Sequence, residues 1–331
     1  MIKEKVMDVE GLCVSLLHRQ REISVVRDVS FCLEEGKVLG LIGESGCGKS
    51  ITCLSLLGLL EKDRWKVEGS VRLKGKELPY LNREKIRRLR GSSVAMVMQN
   101  PISSFNPLLT VGQHFTETIR THKEVTRREA GQIAVEMLLK LNLSEPEKVM
   151  GQYPFQLSGG MLQRVMIAIA LFMCPHVLIA DEPTTSLDVT VQYQILKELA
   201  ELRDHYRTAM LLVSHDLGVI AQMADEVAVM YGGYVVEQAP SREIFCNPMH
   251  PYTRGLMKSR PAFTKDRLNV LEGYPPSLMK RSRGCPFYER CRCARKDCLE
   301  FDMKETGATG GHSVRCLLYA GEEEVKMDAC S

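Results

Sequence analysis

The spacing of apolar positions changes along the chain and predicts different secondary structure in successive parts. Residues 1–95 hold short apolar runs typical of β-strands, and one helical pattern follows Lys49. Residues 110–150 place apolar side chains near a 3.6-residue period, which predicts helices. The strands predicted in the first part are Val25–Leu33, Val38–Ile42 and Gly69–Lys74.

Residues 155–240 alternate between helical and strand patterns. Helices are predicted after Ser158 and over Val191–Arg203. The predicted strands of this part are Val177–Ala180, Ala209–Ser214, Val227–Met230 and Tyr234–Glu237. Strands that alternate with helices form a parallel sheet covered by helices, so we expect an α/β fold.

Beyond about residue 245 the composition shifts. Prolines recur there and are expected to break regular structure, which predicts an appended C-terminal domain. They include Pro248, Pro251, Pro275, Pro276 and Pro286.

Composition narrows the class of protein. The 331 residues are 44% hydrophobic and 26% charged, which is enough apolar surface for a sizeable core. The net charge of +3 is too small for a dedicated nucleic-acid domain, so we expect no nucleic-acid partner. The mixed-charge start, Met1–Glu10, is not typical of a secretion signal. The apolar run Val165–Cys174 is too short to span a bilayer, so any work at a membrane requires docking on another protein.

The sharpest local signal is a glycine-rich loop between a predicted strand and a predicted helix. It fits the phosphate-loop pattern G-x-x-x-x-G-K-[ST]. Its glycines let backbone N–H groups surround phosphates, and the helix start adds partial positive charge. Lys49 is expected on the β- and γ-phosphates and Ser50 on Mg²⁺. The candidate ATP-binding residues here are Gly43, Glu44, Ser45, Gly46, Cys47, Gly48, Lys49, Ser50 and Ile51.

A second motif is acidic and supplies the metal ligand and the general base that ATP hydrolysis requires. The apolar strand Val177–Ala180 ends in Asp181 and Glu182, at the edge where a parallel sheet binds ligands. We expect Asp181 to bind the metal through water and Glu182 to act as general base on the attacking water.

Two further segments predict a particular kind of ATPase. Ser158 is a favourable helix N-cap, and Gly159 and Gly160 after it expose backbone donors, so this helix start is a second anion-binding site. His215 follows the predicted strand Ala209–Ser214 and is expected to donate to a γ-phosphate oxygen.

Together these motifs resemble the ATP-binding subunits of ABC transporters over about residues 6–245. The order is that of the family, with Gln99 in the position of the Q-loop and Asp188 in that of the D-loop. The resemblance implies a RecA-like P-loop ATPase core with a mixed sheet, a helical subdomain and a C-terminal cysteine-containing extension. The implied boundaries are 1–98 and 156–245 for the core, 99–155 for the helical subdomain and 246–331 for the extension.

The resemblance also implies partners and roles. Two cassettes pair head to tail, and each ATP lies between the phosphate loop of one and Ser158, Gly159 and Gly160 of the other. Gln99 is implied as a Mg²⁺ ligand and a hinge. Asp188 is implied at the nucleotide. The expected assembly contains a second, different ATP-binding subunit, two transmembrane permeases and an extracytoplasmic binding protein. The chain would then lie peripherally on the cytoplasmic face of the cell membrane.

The C-terminal segment narrows the branch of the family. The run from Asn247 to Arg254 resembles the extension of oligopeptide, dipeptide and nickel importers. Met161 replaces the glutamine that usually ends the signature, as in that same branch. We therefore expect an ATPase that powers peptide uptake, with a nickel or metal-chelate importer as the alternative. A soluble ABC ATPase of DNA repair or translation is a weaker alternative, because the chain has no second cassette.

Five of the 12 cysteines lie between Cys285 and Cys316. Such crowding favours metal or cluster ligation over disulfides in a chain without a secretion signal. The spacing of Cys285, Cys291, Cys298 and Cys316 resembles a [4Fe-4S] site found in some peptide importers. Zn²⁺ and a set of reduced thiols remain alternatives, and Cys293 is a further thiol nearby.

Overall fold

The structure is a computed structural model that describes residues 4–19, 21–78, 83–185, 187–259, 271–276, 284–309 and 311–320. Its strands are β1 (Lys5–His18), β2 (Arg21–Glu34), β3 (Val38–Ile42), β4 (Trp65–Leu73), β5 (Lys76–Glu77), β6 (Val94–Val97), β7 (Val177–Asp181), β8 (Ala209–Val213), β9 (Glu226–Tyr231), β10 (Tyr234–Pro240), β11 (Gly307–Thr309) and β12 (His312–Val314).

Its helices are α1 (Lys49–Leu56), α2 (Arg83–Leu89), α3 (Pro101–Ser104), α4 (Val111–His122), α5 (Arg127–Lys140), α6 (Pro146–Gly151), α7 (Gly159–Leu171), α8 (Val189–Tyr206), α9 (Leu217–Met223), α10 (Ser241–Cys246) and α11 (Pro251–Lys258). Within the described ranges, no helix is both long and apolar enough to cross a membrane.

The chain forms two compact units, which are described one by one. The first unit consists of Met1–Met7, Leu33–Val38 and Leu73–Val213. The second unit consists of Asp8–Cys32, Leu39–Arg72 and Ser214–Ser331.

The first unit contains the parallel strands β6, β7 and β8. Central strand β7 pairs on both sides, and its Val177 lies opposite Val94 of β6 and Ala209 of β8. Every residue of β7 and β8 is buried, which explains their continuous apolar sequence. Parallel neighbours bring their carboxyl ends to one edge, so the segments that follow β6 and β7 lie side by side.

Helices α4, α5 and α6 follow the strand β6 in the same unit. Thr110 and Thr126 begin α4 and α5 with capping boxes that satisfy the first backbone N–H groups. Phe115 and Leu138 are fully buried, as the 3.6-residue period predicts for the inward face of each helix. The helices predicted over 110–150 are therefore confirmed.

The second unit contains a mixed arrangement of strands. Strand β9 pairs in parallel with β3 and antiparallel with β10, and β12 pairs antiparallel with both β10 and β11. The neighbouring strands β2, β1 and β4 form another sheet in that order. The predicted α/β architecture with a mixed sheet is confirmed.

The proline-rich segment is more regular than the sequence predicted. Helix α11 begins at Pro251, because the first turn of a helix needs no N–H from that residue. The hairpin of β11 and β12 extends the sheet at β10. The buried carboxylate of Glu237 connects the strand β10 to both of these elements. It accepts hydrogen bonds from the backbone N–H groups of Met249 (2.7 Å) and His250 (2.8 Å), just before α11. It also lies 2.7 Å from Nε2 of His312 in β12.

Candidate functional site

The glycine-rich loop lies between buried strand β3 and helix α1, as predicted. Gly48 occupies the N-cap position with φ of 113°. A Cβ there would come within 2.8 Å of the side chain of Met230, and one at Gly43 would collide with the backbone of Met230. The close approach and the positive φ both require glycine, and glycine-rich loops of this kind can direct backbone N–H groups toward a phosphate chain.

Lys49 is buried within this loop. Its ammonium donates to the carbonyl oxygens of Gly43 (2.7 Å) and Glu44 (3.1 Å). Burial raises the pKa of the neighbouring Cys47 thiol, so this side chain adds no negative charge. Ser50 is exposed in the first turn of α1. The cradle therefore offers N–H donors, a cation and a hydroxyl, which suits a nucleotide triphosphate and Mg²⁺.

Glu44 is the one acidic side chain of the loop, and a residue far along the chain binds it. The guanidinium of Arg290 donates from Nη1 to Oε2 (2.8 Å) and from Nη2 to Oε1 (3.0 Å). This carboxylate raises the pKa of Arg290, which stays charged. The charge of Glu44 is thus compensated within the second unit.

In the first unit, β7 ends with the predicted acidic pair. Asp181 is buried at the last position of the strand. Glu182 has φ of 49°, a left-handed conformation that is uncommon for a residue with a side chain. Its N–H donates to the carbonyl of Val213 at 2.9 Å, which fixes the turn.

Two side chains hold the carboxylate of Glu182. The amide of Gln99 donates from Nε2 to Oε2 at 2.7 Å, and the hydroxyl of Thr185 donates to the same oxygen at 2.9 Å. Gln99 follows β6, so parallel pairing explains why it reaches a residue 83 positions later. No local pattern in the sequence indicates the contact of Thr185 with Glu182.

The signature segment is an exposed helix start. Ser158 caps α7 by accepting a hydrogen bond from the N–H of Met161 at 3.3 Å, as predicted. Ser158 and Gly159 are exposed, and a Cβ on Gly160 would come within 2.7 Å of Val191 in α8. Asp188 caps α8 in the same way, 3.0 Å from the N–H of Val191. The segment is therefore accessible to another molecule.

His215 belongs to the second unit and is exposed directly after Ser214. The hydroxyl of Ser214 accepts from the N–H of Asp216 (3.0 Å), and Asp216 caps the short helix α9. The second unit therefore holds His215 and residues 43–51, and the first unit holds Gln99, Asp181, Glu182, Asp188 and 158–160.

The four predicted cysteine ligands line one cavity in the second unit. Burial raises the pKa of Cys285 to about 12 and that of Cys316 to about 11. Cys293 also lines the cavity but is disulfide-bonded. However, among the described residues no group of three or more His, Cys, Asp or Glu side chains is arranged to hold a metal ion. The structure thus gives a shared cavity without a formed metal centre.

Solved structures share this fold. The ATP-binding cassette MJ0796, in a dimeric post-hydrolysis state bound to ADP and Pi, aligns with a TM-score of 0.64 and 25% identity over 71% of this chain and 99% of its own. The protein cbiO1 of Clostridium perfringens, part of the ABC transporter complex cbiONQ, aligns with a TM-score of 0.63 and 25% identity over 74% of this chain and 92% of its own. The fold and motifs define an ATP-binding cassette.

Sequence comparison gives the family. Residues 26–185 match the ABC transporter family, and residues 236–298 match the family described as oligopeptide/dipeptide transporter, C-terminal region. The oligopeptide transport ATP-binding protein AppD of Bacillus subtilis (strain 168) is 42% identical over 96% of this chain and 97% of its own length. A putative peptide import ATP-binding protein of Brucella abortus (strain 2308) is 40% identical over 96% and 98%.

The chain belongs to the ABC transporter family, and its C-terminal region is that of the oligopeptide/dipeptide transporters. The predicted resemblance and the predicted class, an ABC-type transport ATPase, are confirmed.

Proposed function

We propose that this chain is the subunit that hydrolyses ATP to power the uptake of di- and oligopeptides through an ABC transporter. One observation carries the proposal: a single chain joins an ATP-binding cassette to the C-terminal region of oligopeptide/dipeptide transporters. Relatives that match nearly their full length are named as oligopeptide transport or peptide import proteins. These names favour peptides over nickel or another metal chelate as the cargo.

In the proposed site, residues 43–51 surround the phosphates of ATP. Backbone N–H groups of this loop, other than the N–H of Glu44 that donates to Tyr252, bind the phosphates together with the ammonium of Lys49. Ser50 and Gln99 are the proposed ligands of Mg²⁺, and Asp181 would reach it through water. When bound, Mg²⁺ offsets the charge of the β- and γ-phosphates. Gln99 uses its Nε2 on Glu182, which leaves its Oε1 as an oxygen ligand.

Glu182 is the proposed general base. It would accept a proton from water as the water oxygen bonds to the γ-phosphorus and the bond to the oxygen of ADP breaks. The two hydrogen bonds from Gln99 and Thr185 orient this carboxylate before ATP arrives. His215 is the proposed donor to a γ-phosphate oxygen, and its exposure supports that role.

We further propose that Ser158, Gly159 and Gly160 complete the ATP site of a second, different ATP-binding subunit, with Asp188 beside the nucleotide. The exposure of Ser158 and Gly159 supports this role, because the chain already has one phosphate loop. ATP would close the two cassettes, and the closure would drive a conformational change in two permease subunits. An extracytoplasmic binding protein would deliver the peptide to these permeases. The chain would then lie peripherally on the cytoplasmic face of the membrane.

The test is purification from detergent-solubilised membranes and reconstitution into vesicles. We expect two permeases and a second ATP-binding subunit to co-purify, and labelled peptide to accumulate only with ATP. A vesicle preparation with Glu182→Gln is the matched control. Uptake of nickel chelates without peptides would favour the alternative cargo. Recovery of the chain on DNA or ribosomes, without permeases, would contradict the transport function.

The proposed cofactor of the cysteine cavity is a [4Fe-4S] cluster with Cys285, Cys291, Cys298 and Cys316 as ligands. Its support is that these side chains line one cavity and that burial opposes the ionisation of Cys285, Cys291 and Cys316, which cluster iron would reverse. No catalytic step depends on it. Anaerobic purification should give about four irons per chain. Cys285→Ser should lose them, whereas exposed Cys174→Ser should retain them. One zinc per chain, or no metal, would contradict the cluster.

A further inference from the structure

The phosphate loop is held by residues that lie more than 200 positions later in the chain. Arg290 forms two parallel hydrogen bonds with the carboxylate of Glu44, at 2.8 and 3.0 Å. The hydroxyl of Tyr252 accepts the backbone N–H of Glu44 at 2.9 Å. The second residue of the loop is therefore fixed through both its side chain and its main chain by the C-terminal region.

Arg290 is itself immobilised. Its side chain is only 6% exposed. It also donates to the hydroxyl of Tyr231 (3.1 Å) and to the carbonyl oxygens of Glu272 (2.9 Å) and Leu271 (3.3 Å). A planar guanidinium that makes this many contacts cannot leave Glu44 without breaking several of them.

The aromatic rings beneath Arg290 form a common support. Tyr231, at the end of β9, packs against Tyr252 of α11 with centroids 4.4 Å apart and against Phe287 with centroids 5.2 Å apart. The guanidinium carbon of Arg290 lies 5.8 Å from the ring centroids of both Tyr231 and Phe287. Tyr231 and Tyr252 are almost fully buried, so the support is part of the hydrophobic core.

This arrangement affects ATP binding in two ways. The carbonyl of Glu44 is one of the acceptors of the Lys49 ammonium, so a fixed Glu44 also fixes the position of the ammonium that would bind phosphate. In addition, Arg290 compensates a carboxylate that would otherwise repel a triphosphate in the same loop. Both effects act at the phosphate loop itself, so we expect them to change the binding of ATP rather than the proton transfer at the proposed base Glu182.

We propose that Arg290 and Tyr252 are positioning residues for the phosphate loop, and that they set its affinity for ATP by holding Glu44. The proposal rests on the proposed ATP site at residues 43–51. The C-terminal region then determines how tightly the chain binds ATP, in addition to its role in the assembled transporter.

The principal test compares Arg290→Met with Arg292→Met. Arg292 lies on the same segment with a side chain that is 76% exposed and a distance of 4.0 Å to Glu272, so it is the matched control. Titration of the full-length chain with MgATP should give a Kd about tenfold higher for R290M, since an uncompensated charge and a loosened loop both oppose binding. R292M should bind as wild type does. In the assembled transporter, R290M should raise KM for ATP and leave kcat near wild type.

Two further variants keep the test decisive if R290M does not fold. Tyr252→Phe removes only the hydroxyl that accepts from Glu44 and should raise Kd about threefold. The exchange of charges in Glu44→Arg with Arg290→Glu should recover part of the affinity that R290M loses. A wild-type Kd in Y252F and in any folded R290M, or an equal loss in R292M, would overturn the proposal.

Lys49→Ala separates this inference from the function on which it rests. If Lys49→Ala binds MgATP as wild type does, the loop is not the phosphate site and both ideas fail. If Lys49→Ala loses affinity while R290M and Y252F do not, only the positioning role is overturned.

Discussion

The side-chain amide of Gln99 donates to the carboxylate of Glu182, with 2.7 Å between Nε2 and Oε2. The first residue follows β6 and the second follows β7, and these strands pair in parallel within one unit. A movement of the segment at Gln99 therefore changes the surroundings of the proposed base directly.

Glu182→Gln should keep ATP binding and lose turnover. Gln is the same size and still accepts the hydrogen bonds of Gln99 and Thr185, but an amide cannot take a proton from water. We expect phosphate release by the assembled transporter to fall about 100-fold or more, with the Kd for MgATP within about twofold. Glu201→Gln, exposed on α8, is the control. Hydrolysis near the wild-type rate would assign the base elsewhere.

Thr185→Val should slow hydrolysis without weakening binding. Val has the shape of Thr but removes the hydroxyl that donates to Glu182 at 2.9 Å. Loss of one hydrogen bond to a charged group predicts a kcat about five- to tenfold lower. Thr185→Ser retains a hydroxyl and should recover most of the rate. The idea fails if the Ser and Val variants turn over equally fast.

Lys49→Ala should weaken nucleotide binding. The change removes the ammonium that is buried against the carbonyls of Gly43 and Glu44. We expect the Kd for MgATP to rise about tenfold or more, because a charge-assisted contact to phosphate is lost. Lys62→Ala, on the exposed segment after α1, is the control. Isothermal titration calorimetry measures both.

The buried imidazole of His250 should make the free energy of unfolding depend on pH. Its imidazole is buried, and its Nδ1 accepts from the N–H of Tyr252 at 3.0 Å. Burial, with a smaller effect from Arg254, lowers the pKa of His250 from 6.5 to about 3. Between pH 6.5 and about 3, the imidazole binds a proton in the unfolded chain but not in the folded chain. The folded state therefore loses stability as pH falls below about 6.5, by about 1.4 kcal/mol per pH unit.

His250→Asn removes this titration and keeps a side-chain acceptor for Tyr252. Urea unfolding of the variant at pH 7, 6 and 5 should show a shallower decline of the free energy of unfolding than wild type. His205→Asn, exposed on α8, should decline as wild type does. Equal slopes for H250N and wild type would show that His250 does not control the acid sensitivity.

Local signals in the sequence predicted most of the ATP-binding motifs. Ser158 was expected as an N-cap and caps α7, and the run Val38–Ile42 forms β3. Such features follow from residues within one or two turns, so the sequence alone determines them. The strand β1 (Lys5–His18) was not predicted, because its buried positions do not alternate strictly with exposed ones.

Long-range contacts could not be predicted in this way. Nothing near Glu44 indicates that Arg290 binds it, since 246 positions separate the two residues. Glu237 looked like the end of an ordinary strand, yet it anchors the backbone of Met249 and His250. A spacing pattern cannot identify partners that only the tertiary fold brings together.

The contact of Arg290 with Glu44 has a practical consequence for studies of the isolated cassette. A polypeptide cut after residue 245 would still contain every ATP-binding motif. It would nevertheless lack Arg290, so the carboxylate of Glu44 in the phosphate loop would lose its charged partner. The ring of Tyr231 would also be exposed to water, because Tyr252 is missing. The affinity for ATP measured with this fragment would be that of a loop without its C-terminal contacts. A fragment used to measure ATP binding must therefore extend past Arg290.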